Sequence, residues 1–535
     1  MQLHKIPYQD TGYFSGLIAD YLDRKASLKP FYNRFPALAE FEAQCEEKQG
    51  SFPQEHREVL VRELQDQYRE LKVSEETLLH IESLSDSKTF TVVTGHQLNL
   101  FTGPLYFHYK IATAIGLCRR LREAYPQYNF VPVYWMATED HDFEEINHFN
   151  FTGKEFRWNR PSGGAVGRMD TDGLQAVLEA FSGELGQGKA ADRLRELFTS
   201  AYLKDMDLAS ATRYLVNELF GPEGLVIIDA DRPALKKLFI PHMRQDLLEH
   251  MAYDTVSRDA EALGKVDQNY PIQVNPREIN LFYLTEGSRE RIVKEGEQYG
   301  VLNTSISFSK EELLADLEEH PERYSPNVIT RPLYQEVILP NLCYIGGGGE
   351  LAYWLELHGY FKKSAIPFPI LLLRNSALFI SDKKVQKAGK LNLSIQELFQ
   401  KQNTLINRKI RQISNIDIDF SPQRKHLKEQ FEAMHELAAQ TDPSFLGAVR
   451  AQEKKQLNGL DHLEKRLLKA QKRKLKDQVN RMVELQNDLF PGQGLQERNR
   501  NFAELYLELG DNWVPALLEG LNPLELVFTV FEYPR

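Results

Sequence analysis

Cysteine is scarce in this chain, and the three that it contains, Cys45, Cys118 and Cys343, are far apart. An odd number at such spacings excludes a disulfide framework, and no pair has the spacing of a structural zinc site. We therefore expect a reducing cytoplasmic setting and no structural metal site.

Long apolar runs are also missing. The most apolar stretch, FPILLLRNSALFI at 368–380, has Arg374 at its centre and is too short to cross a bilayer. The first residues, MQLHKIPYQDTGYF, lack the apolar run of a signal peptide. We expect no membrane partner and no secretion.

An excess of positive charge is absent as well, since 65 Lys and Arg stand against 76 Asp and Glu. The net charge of −11 argues against a general nucleic-acid binder. Of the 535 residues 42% are hydrophobic, which is typical of a globular protein able to bury one core or more.

The segment from residue 89 to residue 138 predicts the fold class. TFTVVTG at 89–95 is a β-branched run that ends in glycine, which indicates a buried strand. A helical pattern with Pro104 near its start follows, and FVPVYWMAT at 130–138 predicts the next strand. Strand, helix and strand form a βαβ unit, which favours an α/β fold with a parallel sheet. Its ligand crevice would lie at the carboxyl ends of the strands.

Changes of pattern along the chain predict five segments. They are N-terminal helices with the first half of the sheet core (1–150), a helical and turn-rich insertion (151–223), the second half of the core with a small insertion near 265–330 (224–382), a helical domain (383–490), and a tail that packs on the core (491–535).

The helical domain is predicted to contain two long antiparallel helices. The break at Asp442-Pro443 separates a helix at about 422–440 from one at 444–489. Apolar side chains of the second helix lie near one stripe, with spacings that do not form a clean heptad repeat. The stripe comprises Leu460, Leu463, Leu467, Leu475, Val479, Met482 and Leu489. We expect this domain to form a homodimer.

The loop TGHQLNLFTGP joins the first strand to its helix. Free N–H groups and the helix dipole favour an anion at a helix start. His96, Gln97 and Lys110 could add side-chain donors. An ordinary βα turn, in which Gly95 and Gly103 supply backbone freedom, fits the spacing equally well.

A second glycine-rich turn, GGGG at 346–349, precedes Glu350 and lies between an apolar strand and an amphipathic helix. Glycines let a backbone approach a ligand closely, and the helix start again suits a phosphate or carboxylate. The stretch matches neither the P-loop nor the dinucleotide fingerprint, so a flexible turn is the alternative.

The stretch EDHDFEEINH at 139–148 follows the second strand. Asp140, His141 and Asp142 could ligate a metal, but alternate side chains of a strand face opposite ways, so only the two aspartates would share a face. We expect both aspartates to face the crevice and to bind an amine or hydroxyl group of a substrate. A solvated polar turn is the alternative.

Arg374 lies inside the strand-like run LLLRNSALFI. A buried arginine needs a partner. That partner is either a core carboxylate, Asp140 among the candidates, or a substrate or nucleotide phosphate.

Three stretches together resemble the BshC family, the cysteine-adding enzymes of bacillithiol biosynthesis. They are VVTGHQLNLFTGPLYFHYKI, VPVYWMATEDHDFEEINH and YIGGGGELAYW, in the same order as in the family. With the helical C-terminal part, the resemblance covers essentially the whole chain.

The resemblance implies a Rossmann-like core with connecting insertions, related to class I aminoacyl-tRNA synthetases, and a helical coiled-coil domain that promotes dimerisation. It implies that cysteine is joined to glucosaminyl-malate through an amide bond. Because amide formation is uphill in water, activation of the cysteine carboxylate by ATP is expected, with Mg²⁺ only as a companion of ATP.

The candidate residues then take three roles. Catalysis is assigned to His96, Gln97 and Lys110. Substrate binding is assigned to Glu139, Asp140, His141, Asp142 and Arg374. Nucleotide binding is assigned to Gly95, Thr102, Gly103, Gly346, Gly347, Gly348, Gly349 and Glu350.

One departure from the synthetase-like pattern concerns the first βα loop, where that superfamily has His-x-Gly-His. Here Gln97 follows His96, and Asn99 stands in the place of the second histidine. The stabilisation that paired histidines give to a pentavalent phosphate is not predicted here, so an adenylate and an acyl phosphate both stay open.

A second hypothesis is a non-catalytic nucleotide-binding scaffold, dimerised by its coiled coil, that assists another enzyme. Two predicted helix-start anion sites and an acidic strand end converge on one sheet edge, which favours the ligase, because a scaffold needs only one of them.

Overall fold

The computed structural model describes residues 1–204 and 206–534. Asp205, in the predicted segment 151–223, and Arg535, in the predicted segment 491–535, are outside the described residues. The described chain separates into two compact units. The first comprises residues 1–9, 13–379 and 496–531, and the second is formed mainly by residues 380–495.

The strands are numbered in chain order. They are β1 (Gln2–Pro7), β2 (Thr89–His96), β3 (Asn129–Met136), β4 (His148–Phe151), β5 (Lys154–Arg157), β6 (Val226–Asp229), β7 (Leu281–Thr285), β8 (Ser288–Glu295), β9 (Gln298–Val301), β10 (Ser307–Phe308), β11 (Tyr324–Pro326), β12 (Asn341–Gly346), β13 (Ile370–Leu373), β14 (Ser376–Ser381) and β15 (Val527–Tyr533).

The α-helices up to residue 363 and after residue 495 accompany these strands. They are Tyr8–Thr11, Gly16–Leu22, Glu40–Ser51, Gln54–Gln67, Glu75–Ser83, Tyr106–Ala124, Phe143–Ile146, Leu174–Glu184, Lys189–Tyr202, Leu208–Phe220, Pro233–Lys237, Ile240–Glu249, Met251–Val266, Lys310–Glu319, Thr330–Ile338, Gly348–Leu355, His358–Lys363, Gln496–Asn499, Phe502–Leu509 and Trp513–Gly520. No helix of the described residues has both the length and the apolarity that a membrane span needs.

The centre of the first unit is a five-stranded sheet in the order β13, β12, β2, β3, β6, with every neighbouring pair parallel. The predicted α/β fold with a parallel sheet is therefore confirmed. β2 is buried from Thr89 to Gly95, as expected for a central strand covered on both faces. The strand order reverses at β2, because later strands add on both of its sides, β3 on one and β12 on the other.

The sheet core is one apolar cluster that joins strands and helices. Phe90 and Val92 of β2 pack in it with Ile345 of β12, and the helices Glu40–Ser51 and Tyr106–Ala124 contribute further members. Burial of each large apolar side chain stabilises the fold by roughly 1.5–3 kcal/mol. This packing fixes the height of the strand ends at which the polar loops begin.

Two insertions differ from a plain βα alternation. Between β3 and β6 the chain forms the antiparallel hairpin β4–β5 and then three helices from Leu174 to Phe220. Between β6 and β12 it forms a five-stranded sheet in the order β10, β9, β8, β7, β11, which is antiparallel throughout. This sheet forms most of the small insertion predicted near 265–330, which also contains the helix Lys310–Glu319.

Two local expectations are wrong. The N-terminal part is not made of helices alone, because the chain begins with β1, which joins β15 and β14 in a three-stranded sheet. Arg374 does not lie within a strand, since it separates β13 from β14.

The second unit is helical, with helices at Asp382–Lys390, Gln402–Ile413, Ser421–Ala438, Pro443–Lys474 and Lys476–Leu489. The third and fourth of these are antiparallel, since Arg424 pairs with Asp461 while His435 pairs with Glu453. Asp442 caps the long helix by accepting the N–H of Ser444 at 2.8 Å. The predicted single helix at 444–489 is wrong in one respect, because it breaks at Leu475.

Candidate functional site

A cleft of about 1010 Å³ opens at the carboxyl ends of β2, β3 and β12, where the strand order reverses. Most of the residues singled out in the sequence line it. These are Gly95, His96, Gln97, Lys110, Glu139, Asp140, Gly347, Gly348, Gly349, Glu350 and Arg374. Thr102, Gly103, His141, Asp142 and Gly346 are not among the lining residues.

The helix start after Pro104 is not an open anion site, so that expectation is wrong. The Leu105 N–H donates to the Arg500 carbonyl at 2.8 Å, and the Asn501 amide donates to the Gly103 carbonyl at 2.7 Å. Thr102 is buried. The C-terminal segment therefore occupies the backbone groups that were expected to face a ligand.

The alternation argument for the acidic stretch is also wrong, because β3 ends at Met136 and the residues after it form a loop. Asp140 reaches the cleft, whereas Asp142 directly precedes the short helix Phe143–Ile146. His141 contacts Arg289 through Nδ1 at 3.0 Å.

At the glycine-rich helix start, the Glu350 side chain of the same helix takes up part of the predicted anion site. The Glu350 carboxylate accepts the Gly347 N–H at 2.8 Å and the Tyr344 hydroxyl at 2.8 Å. It also pairs with Lys110, with Nζ and Oε2 2.6 Å apart, and Lys110 donates to the Gly95 carbonyl at 2.7 Å. Lys110 thus links the end of β2 to the helix that follows β12.

The charges in this corner determine the protonation of His96. Burial lowers its pKa well below the ordinary value, and the positive charges of Lys110 and Arg374 lower it further. Burial alone would raise the pKa of Glu350, but Lys110 holds it below its ordinary value. A neutral imidazole therefore lies beside a charged ion pair.

An acidic rim lies on another side of the cleft. The Gln97 amide donates to Asp140 and to Glu145, each at 2.8 Å, so one side chain bridges two carboxylates. Burial opposes ionisation of Asp140, but hydrogen bonds from His141 and Gln97 hold its pKa well below the ordinary value. An ionised carboxylate here can accept hydrogen bonds from an ammonium or hydroxyl group.

Glu139 forms a structural ion pair within the protein. Lys236 is completely buried and pairs with Glu139 at 2.6 Å and with Asp231 at 3.1 Å. Removal of one partner of such a buried group leaves an uncompensated charge. Although Glu139 lines the cleft, its carboxylate is already committed to this network.

Arg374 has a carboxylate partner, and it is not Asp140. Its Nη2 pairs with Glu497 at 2.7 Å, and both side chains are almost completely buried. Its Nη1 donates to the Asn375 carbonyl and to the Ser376 hydroxyl, each at 3.0 Å. The guanidinium is thereby fixed at the edge of the cleft.

Five further residues line the cleft that were not predicted from the sequence. They are Arg289, Arg331, Tyr344, Tyr353 and Arg498. Arg331 stands in ITRPLYQ, where no local pattern distinguishes it from a surface residue at a helix start. Its position, within 5.8 Å of the ring centres of Trp135 and Tyr344, depends on three segments distant in sequence.

An extended loop, residues 267–280, lines a further part of the cleft through Gln273, Asn275 and Arg277. Two buried carboxylates hold it in place. Glu356 accepts the Gln273 N–H at 2.8 Å, and Asp246 accepts the Asn280 N–H at 2.6 Å. Burial raises the pKa of each carboxyl to about 7.

The three cysteines are buried thiols away from the cleft lining. Burial raises the pKa of Cys45 and of Cys118 to about 12, so neither is a ready nucleophile. Within residues 1–204 and 206–534, no three His, Cys, Asp or Glu side chains are arranged to hold a metal ion.

Comparison with known proteins gives a match along the whole chain. Residues 1–375 match the family model described as "Bacillithiol biosynthesis BshC, N-terminal Rossmann-like domain". Residues 377–533 match "Bacillithiol biosynthesis BshC, C-terminal coiled-coil domain". The Rossmann-like core and the coiled-coil domain implied by the resemblance are confirmed.

Curated relatives agree with these matches. A protein of Christiangramia forsetii is 56% identical over 540 residues and covers 100% of both chains. One of Flavobacterium johnsoniae is 55% identical over 98% of each chain, and one of Bacillus mycoides is 27% identical over 94% of this chain and 95% of its own. Each is named "Putative cysteine ligase BshC".

Among solved structures, one titled as an arginyl-tRNA synthetase of Campylobacter jejuni is similar over 84% of this chain and 98% of its own. With a TM-score of 0.21 and 11% identity, this likeness carries no conclusion about fold.

We predict that Asp140→Asn weakens binding of an amine-bearing substrate by about tenfold or more, because each charge-assisted hydrogen bond contributes roughly 1.5–3 kcal/mol. The melting temperature should fall only slightly, since the single asparagine oxygen can still accept the His141 N–H at the exposed rim, while its NH2 group replaces the oxygen that accepts from Gln97. Titration and thermal melting of this variant test the prediction, with Asp142→Asn, outside the cleft, as the matched control. A large drop in melting temperature with unchanged affinity would show that Asp140 is structural.

We predict that Asp246 makes stability depend on pH. Its carboxyl keeps a proton up to about pH 7 in the folded chain but only to about pH 4 when unfolded, so the folded state binds more protons between these values. The unfolding free energy therefore falls as pH rises through this window, by about 2–4 kcal/mol for this group.

Urea unfolding at pH 5 and at pH 8 measures this dependence. Asp246→Asn should show a smaller difference between the two pH values than the wild type, while Asp254→Asn, an exposed carboxylate nearby, should match the wild type. An undiminished difference in Asp246→Asn contradicts the assignment.

Proposed function

The chain belongs to the BshC family of bacillithiol biosynthesis, and from this premise we propose that it is a ligase that joins cysteine to glucosaminyl-malate through an amide bond. The observation that carries the proposal is the opposition of charge across one cleft. Arg331, which has no carboxylate partner among the described residues, lies on the side of the glycine turns with the paired Lys110 and Arg374, and Asp140 with Glu145 forms the acidic rim. An amino acid has both an anionic and a cationic group, so it complements both sides.

ATP is proposed as the activating co-substrate. A carboxylate oxygen of cysteine attacks either the α-phosphorus of ATP, which releases pyrophosphate, or the γ-phosphorus, which releases ADP. The amine of glucosaminyl-malate then attacks the carbonyl carbon and loses a proton, and AMP or inorganic phosphate leaves. The chain can support the first step with the positive charge at Lys110, which Glu350 and the Gly95 carbonyl hold in place. Neutral His96 can donate one hydrogen bond without adding charge.

The place of a second histidine is taken by Asn99, and its amide is committed elsewhere. Asn99 donates to the Glu145 carbonyl at 3.1 Å, and it does not line the cleft. It therefore supports the acidic rim rather than a phosphate. Assays that detect AMP or ADP as the product of nucleotide consumption distinguish an adenylate from an acyl phosphate.

The proposal is tested with purified protein supplied with cysteine, glucosaminyl-malate and ATP. We expect bacillithiol to form together with AMP or ADP. In cells that lack the protein, bacillithiol should disappear and glucosaminyl-malate should accumulate. Restoration by the wild type and by His148→Asn, but not by His96→Asn, supports a ligase, since His148 lies outside the cleft lining. Restoration by His96→Asn as well would favour the scaffold.

A homodimer through the helical unit is also proposed. Leu467, Leu475 and Val479 of the predicted stripe are partly buried within this unit, where they pack against a cluster formed by Ile406, Ile410 and Ile418. Leu463 of the helix Pro443–Lys474 is 53% exposed, and Leu437 of the antiparallel helix Ser421–Ala438 is 64% exposed. Apolar side chains so exposed on adjacent helices suit a second copy of the chain.

We predict that Leu437→Glu together with Leu463→Glu converts a dimer into a monomer without a change in helix content, because each substitution would place an unpaired carboxylate in an apolar interface. Light scattering and circular dichroism measure these two properties. Leu78→Glu, an exposed leucine of the first unit, is the control. A dimer that survives the double substitution refutes this assignment of the interface.

A further inference from the structure

Three buried nitrogens at the glycine-lined corner of the cleft have no hydrogen-bond partner within the described residues. They are Nε2 of His96, Nη2 of Arg331 and Nε of Arg374. All three residues line the cleft. A buried donor without a partner costs roughly 1–3 kcal/mol, so the two arginine N–H groups, joined by His96 in its Nε2–H tautomer, indicate that a ligand supplies the acceptors.

Arg374 presents one free edge to the cleft. It is 3% exposed, and Glu497, Asn375 and Ser376 take up both of its terminal nitrogens. Its Nε would lie 3.8 Å from a Cβ atom placed on Gly347. The remaining N–H is therefore near the space that the absent side chain of this glycine leaves open.

Arg331 is the counterpart on the β2 side. Its Nη1 donates to Gln335 at 3.1 Å, and no carboxylate among the described residues forms an ion pair with it. A Cβ atom placed on Gly95 would lie 3.9 Å from Nη1 and 3.5 Å from the Tyr344 hydroxyl. Gly95 thus leaves open space beside Arg331, as Gly347 does beside Arg374.

The charge balance of the corner points to an anion. Glu350 neutralises Lys110, and Glu497 neutralises Arg374, while His96 is neutral. The charge of Arg331 is left unbalanced inside a corner of low dielectric constant. A buried charge in this position is stabilised by an opposite charge, and a guanidinium prefers a carboxylate or a phosphate.

We propose that Arg331, Arg374 and His96 form a binding site for one oxyanion group in the corner between Gly95 and Gly347. This deepens the proposed function, on which it rests for the identity of the ligands. The oxyanion is either the carboxylate of the amino acid or a phosphate of the nucleotide. Both offer oxygen acceptors to the same three nitrogens.

The test compares Arg331→Gln with Arg291→Gln. Both arginines line the cleft without a carboxylate partner among the described residues, but Arg291 lies on β8 of the antiparallel sheet. Affinities are measured by calorimetry for L-cysteine, for cysteamine, which lacks the carboxylate, for ADP, for adenosine and for inorganic pyrophosphate. Thermal melting verifies that each variant is folded.

We expect Arg331→Gln to weaken binding of at least one anionic probe by about tenfold or more, the effect of one lost charge-assisted hydrogen bond. A loss for L-cysteine but not for cysteamine identifies the carboxylate. A loss for ADP and pyrophosphate but not for adenosine identifies the phosphate. Arg331→Lys, which keeps the charge, should retain part of the affinity.

Gly95→Ala provides a second variant that keeps every charge. Its added methyl group would make only ordinary contacts, at 3.5 Å or more, so the chain should fold. Because the methyl occupies the corner, binding of the same probe should weaken while that of the uncharged analogue does not.

Three results overturn the proposal: no anionic probe binds the wild type, Arg331→Gln binds every probe as tightly as the wild type, or Arg291→Gln shows an equal loss. Its failure can be distinguished from failure of the ligase proposal. If the wild type forms no bacillithiol but binds pyrophosphate in an Arg331-dependent manner, the oxyanion site stands and the ligase proposal falls.

Discussion

The ion pair between Lys110 and Glu350 is the contact on which the cleft depends. It joins the helix after β2 to the helix after β12, and Lys110 also holds the Gly95 carbonyl. Its desolvation is costly, and hydrogen bonds from Tyr344 and from the Gly347 N–H to the same carboxylate offset part of that cost. The result is two glycine turns held side by side at the point where the strand order reverses.

Because this pair is formed, only some charges of the cleft remain to neutralise the charges of a ligand. Glu350 cannot also neutralise a substrate cation, and Lys110 cannot fully neutralise a substrate anion. In the corner between Gly95 and Gly347 the buried positive charge that is left for an anion is that of Arg331, and the carboxylates at the rim that are left for a cation are Asp140 and Glu145. Gln97 donates to both of these carboxylates and follows His96 directly, so the two sides of the cleft are linked through one loop.

The sequence was sufficient for the parts of the structure that local pattern controls. Period, β-branching and glycine position predicted β2, β3 and the turn at Gly347, and a parallel sheet brings such loops to one edge. The prediction for Asp142 was wrong, because side-chain alternation was assumed to continue beyond the end of β3 at Met136. The start of the helix after Pro104 was misjudged because its partners, Arg500 and Asn501, lie nearly 400 residues away in the chain.

Arg374 shows why pairing partners were harder to predict than strands. A buried arginine predicts a carboxylate, but any of many carboxylates satisfies that requirement, and the choice depends on tertiary packing. Glu497 is the partner, 123 residues further along, and its second oxygen accepts the Ala377 N–H at 3.0 Å. The chain leaves the first unit after Phe379 and returns at Gln496, so this contact closes the unit.

This closure has a chemical consequence for the cleft. Glu497 holds one terminal nitrogen of Arg374, and the residues directly after Arg374 hold the other, so the guanidinium cannot turn and its Nε stays at the cleft edge. The corner is therefore complete only when the segment from Gln496 onward has folded onto β14. A site formed in this way requires residues that precede and residues that follow the segment 380–495 in the chain.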